Sequence, residues 1–442
     1  LPGSDFVYGS EDASDTRVIK TLLSITNHEP PDPNVRLPLL VTEIFDPAKI
    51  EMVRKSYRGD FEVLASDVFV ARCLAQNVRH AGLSRIFREI LSHGEGSEIY
   101  VRTPEQVEGF EFGTLNEAYP KAVLLGVVRP RDSGFEPFLN PPRDFLLQPG
   151  DRLVFLAQNY EDCDSPKNFP VQGRDQKTVR VLAAPVKPHW TLLVLGWNHK
   201  AADLMEELDC YSHERFEVDV LSLSPIADRQ ADLKRKGVKL NRVEIRHVEG
   251  DLASLSDVKA MNPARYDKVI ILGSDKQDTE EESDARTTIG HLILTECLAG
   301  STRTGVVVEL MDTNNLPLFA ARSGEVLVTP LMASHVLAQV ALRRELNSVY
   351  EELFSSGGAE IFFRDVADYD LLGREITFGT LKEMAFVRGE IVLGVRSHRQ
   401  DSTGDWIQLN PPWDMAWIFS EEDQLVVLAT YGLADYHETT RE

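Results

Sequence analysis

The residues of this sequence best suited to chemistry are carboxylates, and they come in two matching sets. Asp284 lies in Glu282-Ser283-Asp284-Ala285-Arg286, at the predicted start of a helix. Glu309 and Asp312 close the apolar run that begins at Val306. Earlier, Asp15 lies in Ala13-Ser14-Asp15-Thr16-Arg17, and Glu43 and Asp46 close the run Leu39-Leu40-Val41-Thr42-Glu43-Ile44-Phe45-Asp46. Carboxylates converging from neighbouring strand ends suit a hard cation, and Ca2+ accepts loose geometry from oxygen ligands. A second reading is structural. Asp284 in a first helical turn complements the helix dipole, and Glu309 could pair with Arg286. The run Asp278-Thr279-Glu280-Glu281-Glu282 reads as a solvated loop that could also join a cation site.

Other chemistries find little footing. The four cysteines, Cys73, Cys163, Cys210 and Cys297, stand far apart in sequence and read as free thiols in a reducing compartment. No histidine pair has metal-binding helical spacing, and no nucleophile elbow or Cys-His setting is present, so the expectation is a protein that is not an enzyme. A dinucleotide site needs glycines where the backbone meets a pyrophosphate. Here the turn is Gly196-Trp197-Asn198-His199-Lys200-Ala201, which keeps only the first glycine, and no acid follows the second strand at Leu223-Ser224-Pro225.

Composition bounds the partners. The chain has 442 residues, a formal charge of -23 and 43% hydrophobic residues, which predicts a multidomain globular protein. So acidic a surface argues against nucleic acid as a partner, and no apolar run reaches the roughly eighteen residues that would insert directly into a membrane. No signal peptide is visible. Leu1-Pro2-Gly3-Ser4 reads as the end of a strand and a turn, so the chain is expected to begin inside a domain.

The acids belong to a repeat. Asp15 matches Asp284 at an offset of 269, Glu43 matches Glu309 at 266, Leu74-Ala75-Gln76 matches Leu337-Ala338-Gln339 at 263, and Leu139-Asn140-Pro141-Pro142 matches Leu409-Asn410-Pro411-Pro412 at 270. In copy two, strand-like runs at Thr191-Leu195, Phe216-Leu223, Arg242-Val248 and Lys268-Leu272 alternate with helical stretches, which predicts a doubly wound parallel sheet. Copy one lacks this N-terminal half. Each copy continues into a predicted helix-turn-helix, broken at Gly82 and at Asn347-Ser348, and then into a small α/β lobe. The expected divisions are a partial Rossmann-like lobe (1–66), crossover helices (67–94), a small lobe (95–158), a linker (159–189), a full Rossmann-like lobe (190–330), crossover helices (331–356) and a second small lobe (357–432).

This order of parts resembles the tandem RCK gating-ring domains of cation channels, and in particular the CASTOR/POLLUX family of plant nuclear envelopes and its bacterial relatives. The resemblance rests on Leu195-Gly196-Trp197, Val248-Glu249-Gly250-Asp251, Ser283-Asp284-Ala285-Arg286, Tyr350-Glu351-Glu352-Leu353-Phe354, Glu390-Ile391-Val392-Leu393-Gly394 and Leu409-Asn410-Pro411-Pro412, taken as an ordered set over nearly the whole chain. It implies a pore domain upstream and a homo-oligomer, a tetrameric ring of eight RCK units. It also implies membrane association through that pore, with this portion facing the cytoplasm or the nuclear side. Ca2+ is the implied regulator, with Asp284 and Glu309 in copy two and Asp15 and Glu43 in copy one at the positions of the family's calcium ligands. A further family glutamate is replaced by Met311 and Phe45, for which Asp312 and Asp46 could substitute. Two other readings are a potassium-transport subunit regulated by NAD or ATP and a Rossmann-type oxidoreductase.

Overall fold

A computed structural model of the chain describes residues 11–27, 37–94, 96–104, 107–116, 118–132, 134–164, 187–275, 277, 279–299, 301, 303–319, 324–397 and 406–430. The opening Leu1-Pro2-Gly3-Ser4, Asp278 and most of the linker lie outside the described residues. Copy one forms α1 (Glu11–Asn27), β1 (Leu40–Ile44), α2 (Ile50–Lys55), β2 (Phe61–Ala65), α3 (Ser66–Arg79), α4 (Leu83–Leu91), β3 (Glu98–Arg102), α5 (Phe112–Leu115), β4 (Ala122–Arg131), β5 (Gly134–Leu139) and β6 (Arg152–Ala157). The first lobe of copy two forms β7 (His189–Leu195), α6 (Ala201–Cys210), β8 (Arg215–Ser222), α7 (Ile226–Arg235), β9 (Val243–Glu249), α8 (Leu255–Ala260), β10 (Lys268–Ile271), α9 (Glu280–Cys297), β11 (Gly305–Leu310) and β12 (Glu325–Val328). It continues as α10 (Thr329–Leu342), α11 (Leu346–Phe354), β13 (Ala359–Asp365), β14 (Glu375–Thr377), α12 (Phe378–Val387), β15 (Ile391–Ser397), β16 (Trp406–Leu409), β17 (Ala416–Ile418) and β18 (Gln424–Thr430).

These elements gather into two compact units that cut across the repeat. One comprises residues 1–84 and 186–344, the two Rossmann-like lobes; the other comprises residues 85–185 and 345–442, the two small lobes. In the first unit, six parallel strands run in the order β12-β11-β10-β7-β8-β9, the doubly wound order with its switch point between β10 and β7. The central strands are apolar because both faces are covered: Leu193, Leu195, Val269, Ile271 and Val308 are all buried in one cluster with Leu294 of α9. Among the described residues copy one contributes only the parallel pair β1–β2, in the register of β11–β12: Glu43 lies opposite Leu64 as Glu309 lies opposite Leu327.

The predicted helix break at Asn347-Ser348 is corrected. The chain turns four residues before Asn347, where Arg343 is extended (φ -146°) after the last turn of α10. Arg344 is pinned there by Asp60 at 2.7 Å and Glu62 at 3.0 Å. Asn347 and Ser348 fall in the first turn of α11, where the Ser348 hydroxyl donates to the Glu345 carbonyl at 2.9 Å. Short polar side chains favour helix starts as readily as helix breaks.

In the second unit each small lobe is a four-stranded antiparallel sheet, β3-β6-β4-β5 and β13-β18-β15-β16. Both carry a bulge at the same place, Leu124/Gly126 and Val392/Gly394. A reciprocal pair of contacts joins the lobes. Asn140 Nδ2 donates to the Gly389 carbonyl at 2.8 Å, and Asn410 Nδ2 donates to the Lys121 carbonyl at 2.9 Å. Both asparagines hold left-handed backbone (φ 47° and 42°), which asparagine tolerates better than most residues. At Gly394 a methyl group would overlap the Gln408 carbonyl of the paired strand, whereas at Gly324 its nearest neighbours would stand 3.7 Å away. Gly394→Ala is therefore expected to cost about 1–3 kcal/mol in denaturant unfolding, while Gly324→Ala stays within about 0.5 kcal/mol of wild type.

Candidate functional site

Asp284 and Asp312 meet at the carboxyl end of β11, and Asp15 and Asp46 at that of β1, where an open α/β sheet presents its ligand crevice. Thr279 caps α9, its hydroxyl accepting from the Glu282 amide at 3.1 Å. One turn on, Asp284 is buried and points at the end of β11. Its Oδ1 accepts from the Met311 amide at 2.8 Å, and its Oδ2 accepts from the Asp312 amide at 2.9 Å and from Asn315 Nδ2 at 2.8 Å. Asp312 in turn caps the tight helical turn after the strand, accepting from the Asn314 amide at 2.9 Å. Two amides leaving a strand with no ladder partner need an acceptor, and Asp284 provides it.

Copy one repeats the corner. Asp15 accepts from the Phe45 amide at 3.0 Å and the Asp46 amide at 3.1 Å, and Asp46 accepts from the Ala48 amide at 3.0 Å. Of the residues that differ, one changes the charge. Asn315 is replaced by Lys49, whose ammonium lies 3.1 Å from Asp15 and 3.9 Å from Asp46. The copy-one corner carries its own cation. The copy-two corner has a neutral amide there, and its negative charges crowd: burial, then Asp284, then Asp312 push the Glu280 carboxyl above its usual range.

Glu309 stands apart from both corners. It is fully buried and its lone pairs are taken. Oε2 accepts from the Gly273 amide at 3.0 Å and Asn198 Nδ2 at 2.9 Å, and Oε1 accepts from the Thr329 hydroxyl at 3.0 Å and Lys200 Nζ at 3.0 Å. A carboxylate offers about four acceptor directions, so Glu309 has none left for a metal in this arrangement. The pairing of Glu309 with Arg286 that the sequence left open does not form; Arg286 binds Asp251 at 2.5 Å instead. Glu43, the twin of Glu309, lacks counterparts of Asn198, Lys200 and Gly273 among the described residues. Burial pushes its carboxyl above the ordinary value, against the lowering influence of the Ser66 hydroxyl. By charge and donor type, Glu280, Asp284 and Asp312 fit a hard cation. Among the described residues no three His, Cys, Asp or Glu side chains converge as a metal would require.

Lys200 and Asn198 belong to the β7–α6 turn, which in a dinucleotide-binding protein would receive a pyrophosphate. Gly196 keeps the tight turn, with φ 102° and a Cβ position only 2.9 Å from the Leu272 carbonyl. Trp197 lies sideways, its Nε1 donating to Asp232 at 3.0 Å. What remains of the crevice is a cleft of about 130 Å³ lined by Gly196, Ser222, Ser224, Asp251 and Arg286 among others. Small-molecule sites usually offer some 300 Å³ or more.

The same turn reaches helix α3 of copy one. His199 Nε2 lies 3.2 Å from Asp67, and Asp275 accepts from the His199 amide at 2.9 Å. Burial and the neighbouring Lys200 press the imidazole pKa down, but Asp67 and Asp275 outweigh them and hold it at about 9. Further along α3, Arg79 pairs with Glu214 at 2.7 Å and lies 3.9 Å from the centre of the Tyr211 ring, while Glu214 accepts from Trp190 Nε1 at 2.7 Å. The sequence reading missed this ionic seam. The visible hint was the polar load of α3, where Asp67, Arg72, Gln76, Asn77 and Arg79 interrupt the apolar positions.

Comparison with known proteins defines the class first. The human SLO3 gating ring matches with a TM-score of 0.72 at 14% identity, covering 98% of this chain and 87% of that one, so the fold is that of an RCK gating ring. The kinship is more particular. A family described as "Castor and Pollux, part of voltage-gated ion channel" matches residues 67–171. The ion channel CASTOR of Lotus japonicus is 26% identical over 91% of this chain, and the probable ion channel POLLUX of Oryza sativa subsp. japonica is 24% identical over 97%. The chain spans about half the length of these relatives, 50% and 47% respectively. Over most of its length the chain is thus similar to the CASTOR and POLLUX channels, within an RCK gating-ring fold. Among the described residues no helix is long and apolar enough to cross a membrane.

Two outcomes follow. Asp284→Ala strands two strand-end amides and is expected to cost about 2–4 kcal/mol in denaturant unfolding. The His199 proton has a folded pKa above its ordinary 6.5, so its contribution is complete below pH 6.5 and disappears as pH rises through about 9. His199→Gln should flatten that alkaline loss in the amide exchange of α3 and α6.

Proposed function

We propose that this chain is the ligand-sensing gating-ring portion of a cation channel, that it is not an enzyme, and that it assembles as a homo-oligomer beneath a pore carried elsewhere in the longer protein. Its sequence kinship with CASTOR and POLLUX and the RCK gating-ring fold support the regulatory role. The ligand read here is Ca2+, held at the copy-two corner by Asp284 and Asp312 with Glu280 beside them. The observation that carries this is the exchange of Lys49 for Asn315: the same corner is partly balanced by an ammonium in copy one and has a neutral amide there in copy two. When bound, the ion would supply that missing positive charge. Asp284 also holds the Met311 and Asp312 amides, so ligand and backbone share one carboxylate. Any bias on a gate is limited to the difference in affinity between the two conformations.

Calorimetry with calcium tests the assignment. The wild-type chain should bind, Asp312→Asn should weaken binding, and Asn315→Lys, which copies the charge of the other corner, should weaken it by at least about tenfold while leaving the fold intact. Binding unchanged in both variants would remove the copy-two corner from the site. Parallel titrations with NAD and ATP should give no heat.

A further inference from the structure

The second unit contains a buried amine that the gating-ring reading does not use. Lys382 lies on α12 of the copy-two small lobe and is 2% exposed. Its Nζ donates across to the copy-one small lobe, to the Ala122 carbonyl at 3.0 Å and the Tyr119 carbonyl at 3.4 Å. It stands 5.0 Å from the centre of the Trp413 ring.

Counting donors favours the neutral form. A neutral amine has two N–H groups and meets two carbonyls here; an ammonium has three. Among the described residues no carboxylate pairs with it. The ring attraction is weaker than the cost of stripping water from an ammonium. The charged groups on the surrounding elements are Glu383 on α12, Arg388 just past its end, Lys121 ahead of β4, Asp414 beside Trp413, and Arg143 over the Phe386 ring. None of these is a cause of its shift: burial alone brings the amine down to about 7. The repeat sharpens the point. Phe112-Gly113-Thr114-Leu115 and Phe378-Gly379-Thr380-Leu381 are identical, and the next residue is Asn116 in one lobe and Lys382 in the other. The ionisable group sits on one side of a near-symmetric interface.

We propose that Lys382 is a proton-operated joint between the two small lobes: the interface accommodates the neutral amine, and protonation loosens it. The inference does not depend on the calcium assignment. The direction follows from linkage. In the closed interface the pKa lies near 7, while an opened interface returns it to the ordinary 10.5. The open form therefore holds more protons between those values, and rising pH favours closure. Between pH 6 and pH 8 the closed-to-open ratio should rise about tenfold. His199 in the first unit has the opposite sign, so a whole-chain melting curve would blur the two.

The readout is amide exchange of residues 119–125 and 378–387 in the intact chain, corrected for the intrinsic pH dependence of exchange. Protection there should rise about tenfold from pH 6 to pH 8 in the wild type and stay level in Lys382→Met, which keeps the length of the side chain and removes the amine. No rise in the wild type, or an equal rise in the variant, would overturn the proposal. Should the variant fail to fold, the titration of the Lys382 ¹³Cε resonance in wild-type protein decides: a midpoint near 7 supports the joint, and one near the ordinary lysine value refutes it.

Discussion

The structure of the first unit depends on what happens to the two amides that leave the carboxyl end of a parallel strand. They have no partner in the ladder, and burying them unpaired would cost about as much as a lost hydrogen bond each. A carboxylate on the preceding helix takes both. Asp284 does so after β11 and Asp15 after β1. This one contact sets where the helix begins, how the strand turns away, and where Asp312 or Asp46 can cap the next turn. The acids recur because the corner recurs. A ligand site can then be made from such a corner by changing one neighbour, as Asn315 for Lys49 changes its charge without changing its hydrogen bonds to the backbone.

The centre of the sheet is closed by different means. Lys200 and Asn198 fill the switch point with side chains and bind the protein's own Glu309, where a dinucleotide protein would leave bare backbone for phosphates. A buried pair of this kind is weak support for stability as such, but removing either partner leaves an uncompensated charge. From the same turn, His199 reaches Asp67 at the start of α3. The two Rossmann-like lobes are therefore joined by buried charge as well as by apolar packing, and a shift at the switch point has a direct route to the crossover helix.

Much of this was legible in the sequence. The offsets between Asp15 and Asp284 and between Leu139 and Leu409 revealed the repeat, and apolar runs such as Thr191-Leu195 revealed a parallel sheet, because strands buried on both faces leave that trace. The six acids were found but not their separate tasks. Spacing places Glu309 and Asp284 at neighbouring strand ends, yet only the fold shows that Lys200, about a hundred residues earlier, has already claimed Glu309. The helix break moved from Asn347-Ser348 to Arg343 because it is made by Arg344 binding Asp60 and Glu62, a contact with no local signature. Lys382 and the Phe-Gly-Thr-Leu repeat were visible in the sequence; what was missing was the knowledge that the two copies of that helix face one interface.

In the proposed arrangement the copy-two corner takes the cation and the copy-one corner, with Lys49 beside Asp15, does not. Site-resolved amide exchange with and without calcium addresses it directly. Changed protection is expected at the Met311 and Asp312 amides, held by Asp284, with the Phe45 and Asp46 amides, held by Asp15 beside Lys49, unchanged. Equal changes at both corners, or changes at Phe45 and Asp46 alone, would contradict it.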